Sequence, residues 1–412
     1  MAKKLTSVLG VDIGSRQIKV AEVKASGKEP VVTALGIVPT PEGAVDHTGV
    51  YNSDAVGDAI KQAISESGAS SSHIVVSIAG QASVLVRTLE VPKMTPTELK
   101  EHMQWEINRN IPFAESTVVS DYKPLGTEDP ASQNMDVVMA IAPQSAVDTL
   151  VACVKRAGKQ TYAIDVEPLG LARSVKASYD DLFGSQSVCV VDVGHKTSSI
   201  NIFRDGKLLM PRTVPVGGEM FTQAIMDAAG VSREEAEARK ESDLDLANAA
   251  TSTSHVSNPF GGGADAGFTP YNPFSDEPMA PAAQIPGLPE EEPAPAAPAY
   301  DATPEPAATP AGSATFNAIA PVLEEFVAEV RRSIDYFRSR GGEVDRMVVC
   351  GGGARMKGLA DFLGKSLGLD CDVYDPLRRL NVSAKKADMS FVDSHREEFA
   401  VAVGNGLHIL FD

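Results

Sequence analysis

The sequence predicts an α/β fold built from two like domains around a cleft. Three observations predict it. Apolar strands alternate with amphipathic helices along most of the chain, a pattern that packs helices on sheets. A strand–Asp-x-Gly–strand bend occurs twice, at "VLGVDIGSRQIKVAEV" (8–23) and "VCVVDVGHKTSSINIF" (188–203), placing Asp12 and Asp192 180 residues apart. A third bend, "DRMVVCGGGARMKGLADFL" (345–363), carries a strand through three glycines and Gly358 into a helix. Two like hairpins suggest a duplicated domain, with the cleft between the copies.

The elements follow in order. Strands are expected at 8–13, 17–23, 73–80, 83–91, 136–143, 187–194, 198–204, 207–216 and 346–352, each a short run rich in Val, Ile and Leu. Asp205-Gly206 between two of these runs signals a tight hairpin turn. "MTPTELKEHMQWEIN" (94–108) starts a helix with Thr95 as N-cap, Pro96 in the first turn and Glu98 closing a capping box. Leu99, Met103 and Ile107 then form its apolar face. "VSREEAEARK" (231–240) repeats the signal with Ser232 and Glu235 after a stop at Gly230. "AIAPVLEEFVAEVRRSIDYF" (318–337) holds an apolar stripe from Ile319 through Leu323, Phe326 and Val330 to Ile334 and Phe337.

The 412 residues carry 37 basic and 55 acidic side chains, a net charge of -18, which disfavours a nucleic-acid surface. Of the acidic residues, 11 fall between Glu241 and Thr315, where no Lys or Arg occurs and 13 of the 27 prolines lie. Such composition cannot bury enough apolar surface to offset its ordering entropy, so 241–315 is expected to be a disordered acidic insert. A passive loop and a docking tether both fit it, and the two "NPF" triplets at 258–260 and 272–274 read as candidate sticky spots or as chance occurrences. The four cysteines, Cys153, Cys189, Cys350 and Cys371, sit in or beside apolar runs without C-x-x-C pairs, which favours buried thiols and a reducing compartment. The N-terminus is too interrupted for a signal peptide, and no run approaches the roughly 20 apolar residues of a membrane helix. A cytoplasmic protein is expected, with any membrane link made through a partner.

The bends carry the chemistry. Gly14 and Gly194 let backbone N–H groups approach phosphate oxygens with no Cβ in the way. Ser15 and Thr197 add hydroxyl donors and Lys19 a point charge. Asp12 and Asp192 would face the phosphates across a divalent cation, through its waters. The turn at Gly351–Gly353 suits a flat ring or sugar lying on backbone.

Phosphate hairpin, second phosphate hairpin and Gly-rich turn, in this order, resemble the actin-like ATPase superfamily of actin, DnaK-type chaperones, sugar kinases and FtsA. Within it the chain most resembles the PilM family of type IV pilus assembly proteins. "LGVDIGSRQIKV" (9–20), "ELKEHMQWEINRNIPFAESTVVSDYKPLG" (98–126), "AIDVEPLGLAR" (163–173), "VPVGGEMFTQAI" (214–225) and "VSREEAEARK" carry that resemblance. It covers nearly all of the chain except the acidic insert. It implies an actin-like fold: a first domain at 1–82 and 161–180, an FtsA/PilM-type α+β subdomain inserted at 83–160, and a second domain at 181–240 and 316–390. Connecting helices are implied at 163–173 and 399–410, the latter returning to the first domain within 391–412.

The resemblance also implies ATP or ADP with Mg²⁺ in the cleft. Adenine would lie between Gly352-Gly353 and a wall holding Gly218, Glu237 and Lys240; the last two also read as an exposed i, i+3 ion pair. Glu167 would orient water, or would simply favour a helix start. Slow or no hydrolysis is expected. The implied partner is the N-terminal tail of PilN, a single-span inner-membrane protein, docking near Trp105, Ile111, Pro112 and Phe113. Trp105 reads equally as a core residue. Pilus motor components and self-association are further implied partners.

The insert and the His195-Lys196 pair depart from the family pattern, and Lys196 reads as a phosphate contact or, preferably, a solvent-facing residue. An FtsA-like filament former and a small-molecule kinase share the fold. The ending "GLHILFD", without an amphipathic tail, counts against the first.

Overall fold

The computed structural model describes residues 5–26, 29–113, 117–126, 132–242, 244, 246 and 311–411. In the first half, β1 (Ser7–Ile13), β2 (Gln17–Ser26) and β3 (Glu29–Pro39) form an antiparallel meander, followed by α1 (Ser53–Ser67) and β4 (His73–Ile78). An excursion through β5 (Leu85–Pro92), α2 (Pro96–Arg109), β6 (Val118–Gly126), β7 (Asn134–Pro143) and α3 (Gln144–Arg156) precedes β8 (Gln160–Val166) and α4 (Glu167–Phe183). The second half repeats the meander with β9 (Ser187–Val193), β10 (Ser198–Arg204) and β11 (Lys207–Val214), then α5 (Gly218–Ala229), α6 (Arg233–Ser242) and α7 (Ala311–Ser339). It continues with β12 (Arg346–Cys350), α8 (Leu359–Leu367), β13 (Cys371–Val373), β14 (Asn381–Val382), α9 (Met389–Asp393), α10 (Ala400–Gly406) and α11 (His408–Phe411).

The duplication is written in the sheets. One has the order β14-β3-β2-β1-β4-β8 and the other β11-β10-β9-β12-β13. In both, the meander's first strand pairs antiparallel with its second and parallel with a later strand, β1 with β4 and β9 with β12. The stripe on α7 seals the second sheet, with Ile319, Leu323, Phe326, Val330 and Ile334 buried. The Asp205-Gly206 turn has both residues at positive φ, 51° and 72°, the backbone a two-residue hairpin needs.

The inserted sheet has the order β5-β7-β6. On it, α2 buries Leu99, Met103 and Ile107 against Val91, Val137 and Met139. Thr95 caps that helix as its sequence predicts, with the reciprocal Glu98 bond formed.

The halves are joined where α4 crosses α10. A Cβ on Gly404 would lie 1.9 Å from the carbonyl oxygen of Gly170, so the crossing depends on the missing side chain. Asn405 Nδ2 donates to the Val11 carbonyl at 2.9 Å and ties the crossing to the first phosphate strand.

Four boundaries differ from expectation. Residues 163–166 are strand, because Ala163–Val166 pair in parallel with Val75–Ile78; the helix starts at Glu167-Pro168, where a proline costs no hydrogen bond. Helix α3 belongs with the first sheet, since Leu150, Cys153 and Val154 pack into that core. The chain re-enters the first domain by Asn381, where β14 pairs with Val31 and Val32 of β3. The edges of the acidic stretch are ordered: α7 already runs from Ala311, and Leu244 and Leu246 are buried in the second domain's core. The stretch between them, including both "NPF" triplets, lies outside the described residues. Cys153, Cys189 and Cys350 are free and buried and Cys371 is half-buried.

Candidate functional site

A cleft of about 1120 Å³ opens between the two sheets and continues beneath the inserted subdomain. It is lined by Asp12, Gly14, Ser15 and Lys19 from the first hairpin, Asp192, Gly194 and Thr197 from the second, and Gly218, Glu237, Lys240, Gly352 and Gly353 from the far wall. Glu167, at the start of α4, lines it too.

Both hairpin turns have one geometry. A Cβ on Gly14 would lie 2.9 Å from the Gln17 carbonyl oxygen, and one on Gly194 would lie 2.6 Å from that of Thr197. Each turn therefore closes on itself three residues later and needs its glycine. The Gly14 N–H donates to Gln17 O at 3.1 Å, and Thr40 Oγ1 donates to Gly14 O at 2.6 Å.

Register then decides which side chain faces each aspartate. Lys19 stands opposite Asp12, with Nζ 3.2 Å from Oδ2. Ser199 stands opposite Asp192. Ser199 Oγ donates to Glu167 Oε1 at 2.7 Å, and Asn201 Nδ2 donates to Ser199 Oγ at 3.1 Å. A polar chain thus runs from the connecting helix into the second sheet.

The charges follow from this placement. Burial pulls the Lys19 ammonium down, yet the carboxylates of Asp12, Glu398 and Asp192 outweigh it and hold Lys19 above its ordinary value. Burial, with Glu167 and Asp12 close by, pushes the Asp192 carboxyl up to about 8. Glu167 is raised as well, by burial and then by Asp12, against the opposing Ser199 bond. Burial drives His195 down to about 4, so this ring is neutral at pH 7.

On the far wall, Lys240 Nζ lies 2.7 Å from Glu237 Oε2, 2.8 Å from Thr222 Oγ1 and 3.3 Å from Gly218 O. The i, i+3 pair exists, but Lys240 is only 8% exposed, so it is a cleft-wall pair and not a solvated one. Arg16 reaches across from the first turn to Glu237 Oε1 at 3.0 Å. Lys196 takes neither expected role outright: it is ion-paired with Glu219 at the cleft wall.

The four expected groove residues separate. Pro112 and Phe113 line the same cleft as the phosphate turns. Ile111 packs on the subdomain core. Trp105 is 53% exposed on the outer face of α2, with the Arg109 guanidinium 4.7 Å from its ring centroid, so it is neither core nor cleft. Sequence reasoning missed Arg16, Ser199, Asn201, Arg355 and Glu398, all cleft-lining. Ser199 was findable, since it holds in the second hairpin the place of Lys19 in the first.

The family model of type IV pilus assembly protein PilM matches residues 10–261. The chain belongs to the PilM family. The model of cell division protein FtsA matches residues 189–404 of this PilM-family chain. FtsA of Neisseria meningitidis is 25% identical over 238 residues, 52% of this chain and 55% of that protein. FtsA of Pseudomonas aeruginosa is 27% identical over 244 residues, 53% and 56% of the two chains. The chain spans about half the length of the curated relatives it matches. Among solved structures, a PilM-PilN type IV pilus biogenesis complex aligns with a TM-score of 0.73 at 24% identity, covering 99% of both chains. The ethanolamine utilization protein EutJ of Carboxydothermus hydrogenoformans aligns with a TM-score of 0.52 at 13% identity, covering 98% and 91%. The fold of this PilM-family protein is that of the actin-like ATPases. No helix among the described residues is long and apolar enough to cross a membrane.

Proposed function

We propose that this PilM-family protein is a nucleotide-dependent adaptor of type IV pilus assembly. It takes ATP or ADP with Mg²⁺ in the cleft and the cytoplasmic N-terminal tail of a PilN-like inner-membrane protein beside the inserted subdomain. The observation that carries this reading is the continuity of one cleft from the phosphate turns to Pro112 and Phe113. Ligands at its two ends would share walls, so closure of the two domains on one changes the seat of the other.

The residues present fit a polyphosphate. The tight turns at Gly14 and Gly194 line the cleft with Ser15 and Thr197, and Lys19 supplies the charge. Asp12 and Asp192 would hold the cation through its waters, because Mg²⁺ keeps much of its hydration shell. Bound nucleotide would supply a charged tether that both domains grip. Glu167, held by Ser199, orients water near the phosphates, and hydrolysis is expected to be slow or absent. A PilN-like partner would place the protein at the inner membrane, and link it to motor components. The likeness to a solved PilM-PilN complex supports that choice of partner.

The test is calorimetric titration of a peptide matching the PilN N-terminal tail, with and without Mg·ATP. Affinity on the order of micromolar is expected, dependent on nucleotide and lost in Phe113→Ala. No binding in either state overturns the adaptor reading.

A further inference from the structure

Glu398 is a cleft carboxylate that belongs to neither phosphate motif. It lies in the short turn Arg396–Phe399 that leads into α10, and only 3% of it is exposed. That turn is stapled to the Gly-rich bend, because the Gly351 N–H donates to the Glu397 carbonyl at 3.0 Å. Glu398 is thereby fixed beneath Gly352, whose Cβ, if it had one, would lie 3.5 Å from Glu398 Oε2. Glu398 Oε1 lies 3.6 Å from Arg355 Nη1, and Arg355 also faces Glu241 at 3.8 Å. Glu398 Oε2 is buried with no hydrogen-bond partner among the described residues.

A buried carboxylate oxygen without a donor is costly, and it persists where something else supplies the donor. A phosphate offers none and carries the same charge. Glu398 lies beside Gly352 and Arg355 in the Gly-rich bend, with Glu241 of the far wall on the other side of Arg355, and its charge also reaches Lys19 and Asp192 of the phosphate turns. Glu237 on that wall already has partners on both oxygens, Arg16 and Thr222 on Oε1 and Lys240 on Oε2. Resting on the nucleotide reading above, we infer that Glu398 is a specificity-determining residue. Its free oxygen accepts a hydrogen bond from a neutral donor of the nucleoside half, a sugar hydroxyl or the exocyclic amine.

The test is calorimetric binding of ADP, 2′-deoxy-ADP, 3′-deoxy-ADP and IDP to the wild type, Glu398→Met and Glu398→Gln. At least one analogue should bind the wild type about tenfold or more weakly than ADP, the size expected of a hydrogen bond to a charged group. A deoxy analogue in that role marks the sugar; IDP marks the base. In Glu398→Met the gap should close to about twofold. Glu398→Gln, which keeps one acceptor oxygen and nearly the same shape, should retain an intermediate gap. A wild type indifferent to all three analogues, or a gap unchanged in both variants, overturns the assignment of Glu398 while leaving the nucleotide reading intact. Failure of ADP itself to bind the wild type overturns both.

Discussion

The two phosphate hairpins share a backbone and differ in what stands around it. Their turns close alike, at Gly14–Gln17 and Gly194–Thr197, and their aspartates occupy the same strand position. Opposite Asp12 stands an ammonium; opposite Asp192 stands a hydroxyl that is committed to Glu167. At the third position of the turn, Arg16 crosses the cleft to Glu237, whereas Lys196 pairs with Glu219 of its own domain. Duplication supplies a symmetric frame, and single side chains then divide the labour. The first hairpin brings the cation and the inter-domain contact. The second brings the link to the connecting helix.

Removing that cation should break the comparison hardest. Lys19 and Asp12 are 13% and 18% exposed in their side chains, and Glu398 adds negative charge around them. Lys19→Met leaves these carboxylates without a counter-charge. Stability should fall by about 3 kcal/mol, as when one partner of a buried pair is deleted. Denaturant unfolding reads this directly; a loss under about 1 kcal/mol would mean that water in the cleft already screens the group.

The second hairpin should show its missing cation as a pH dependence. The Asp192 pKa is raised in the folded state, from 3.8 to about 8. The folded protein holds this proton where the unfolded chain has lost it. Its contribution to stability is full below the unfolded value and is lost as pH rises through about 8. Asp192→Asn keeps the neutral form at every pH. It should change little near pH 4 and gain stability of order 2 kcal/mol above pH 8, discounted because the group opens on cleft water. Urea midpoints measured across that range check it; parallel curves for wild type and variant would refute the asymmetry.

The same contrast explains what the sequence could and could not disclose. Each hairpin is local: Asp12, Gly14 and Lys19 lie within eight residues, so strand pairing alone brings them together. The capping box on α2 and the stripe on α7 are local too, and both formed as their spacing predicts. Strands β3 and β8 escaped detection because their half-buried patterns resemble other elements, and β8 runs without a break into a Pro-started helix. Glu398 joins the cleft from 386 positions beyond Asp12, through a turn with no motif of its own. Trp105 lies close in sequence to Pro112 and Phe113, yet helical spacing turns it away from Met103 and Ile107 to the exposed face of α2. Long-range partners and side-chain facing are set by tertiary packing.

Arg16 and Lys196 offer the smallest and sharpest contrast. Their side chains are 47% and 36% exposed, so each ion pair contributes only about 0.5 kcal/mol, less at high salt. By stability alone, Arg16→Ala and Lys196→Ala should be nearly indistinguishable. They differ in what the pair spans. Arg16 joins a turn of the first domain to α6 of the second, and Lys196 joins two elements of one domain. Loss of Arg16 should let the cleft widen, raising the radius of gyration in small-angle scattering at low salt. Loss of Lys196 should leave it unchanged. Added salt should bring the wild type toward the Arg16→Ala value, because screening removes the same contact that the mutation deletes. Equal scattering from the two variants would show that the crossing of α4 and α10 alone sets the opening of the cleft, and that the hairpins' asymmetry is confined to their charge.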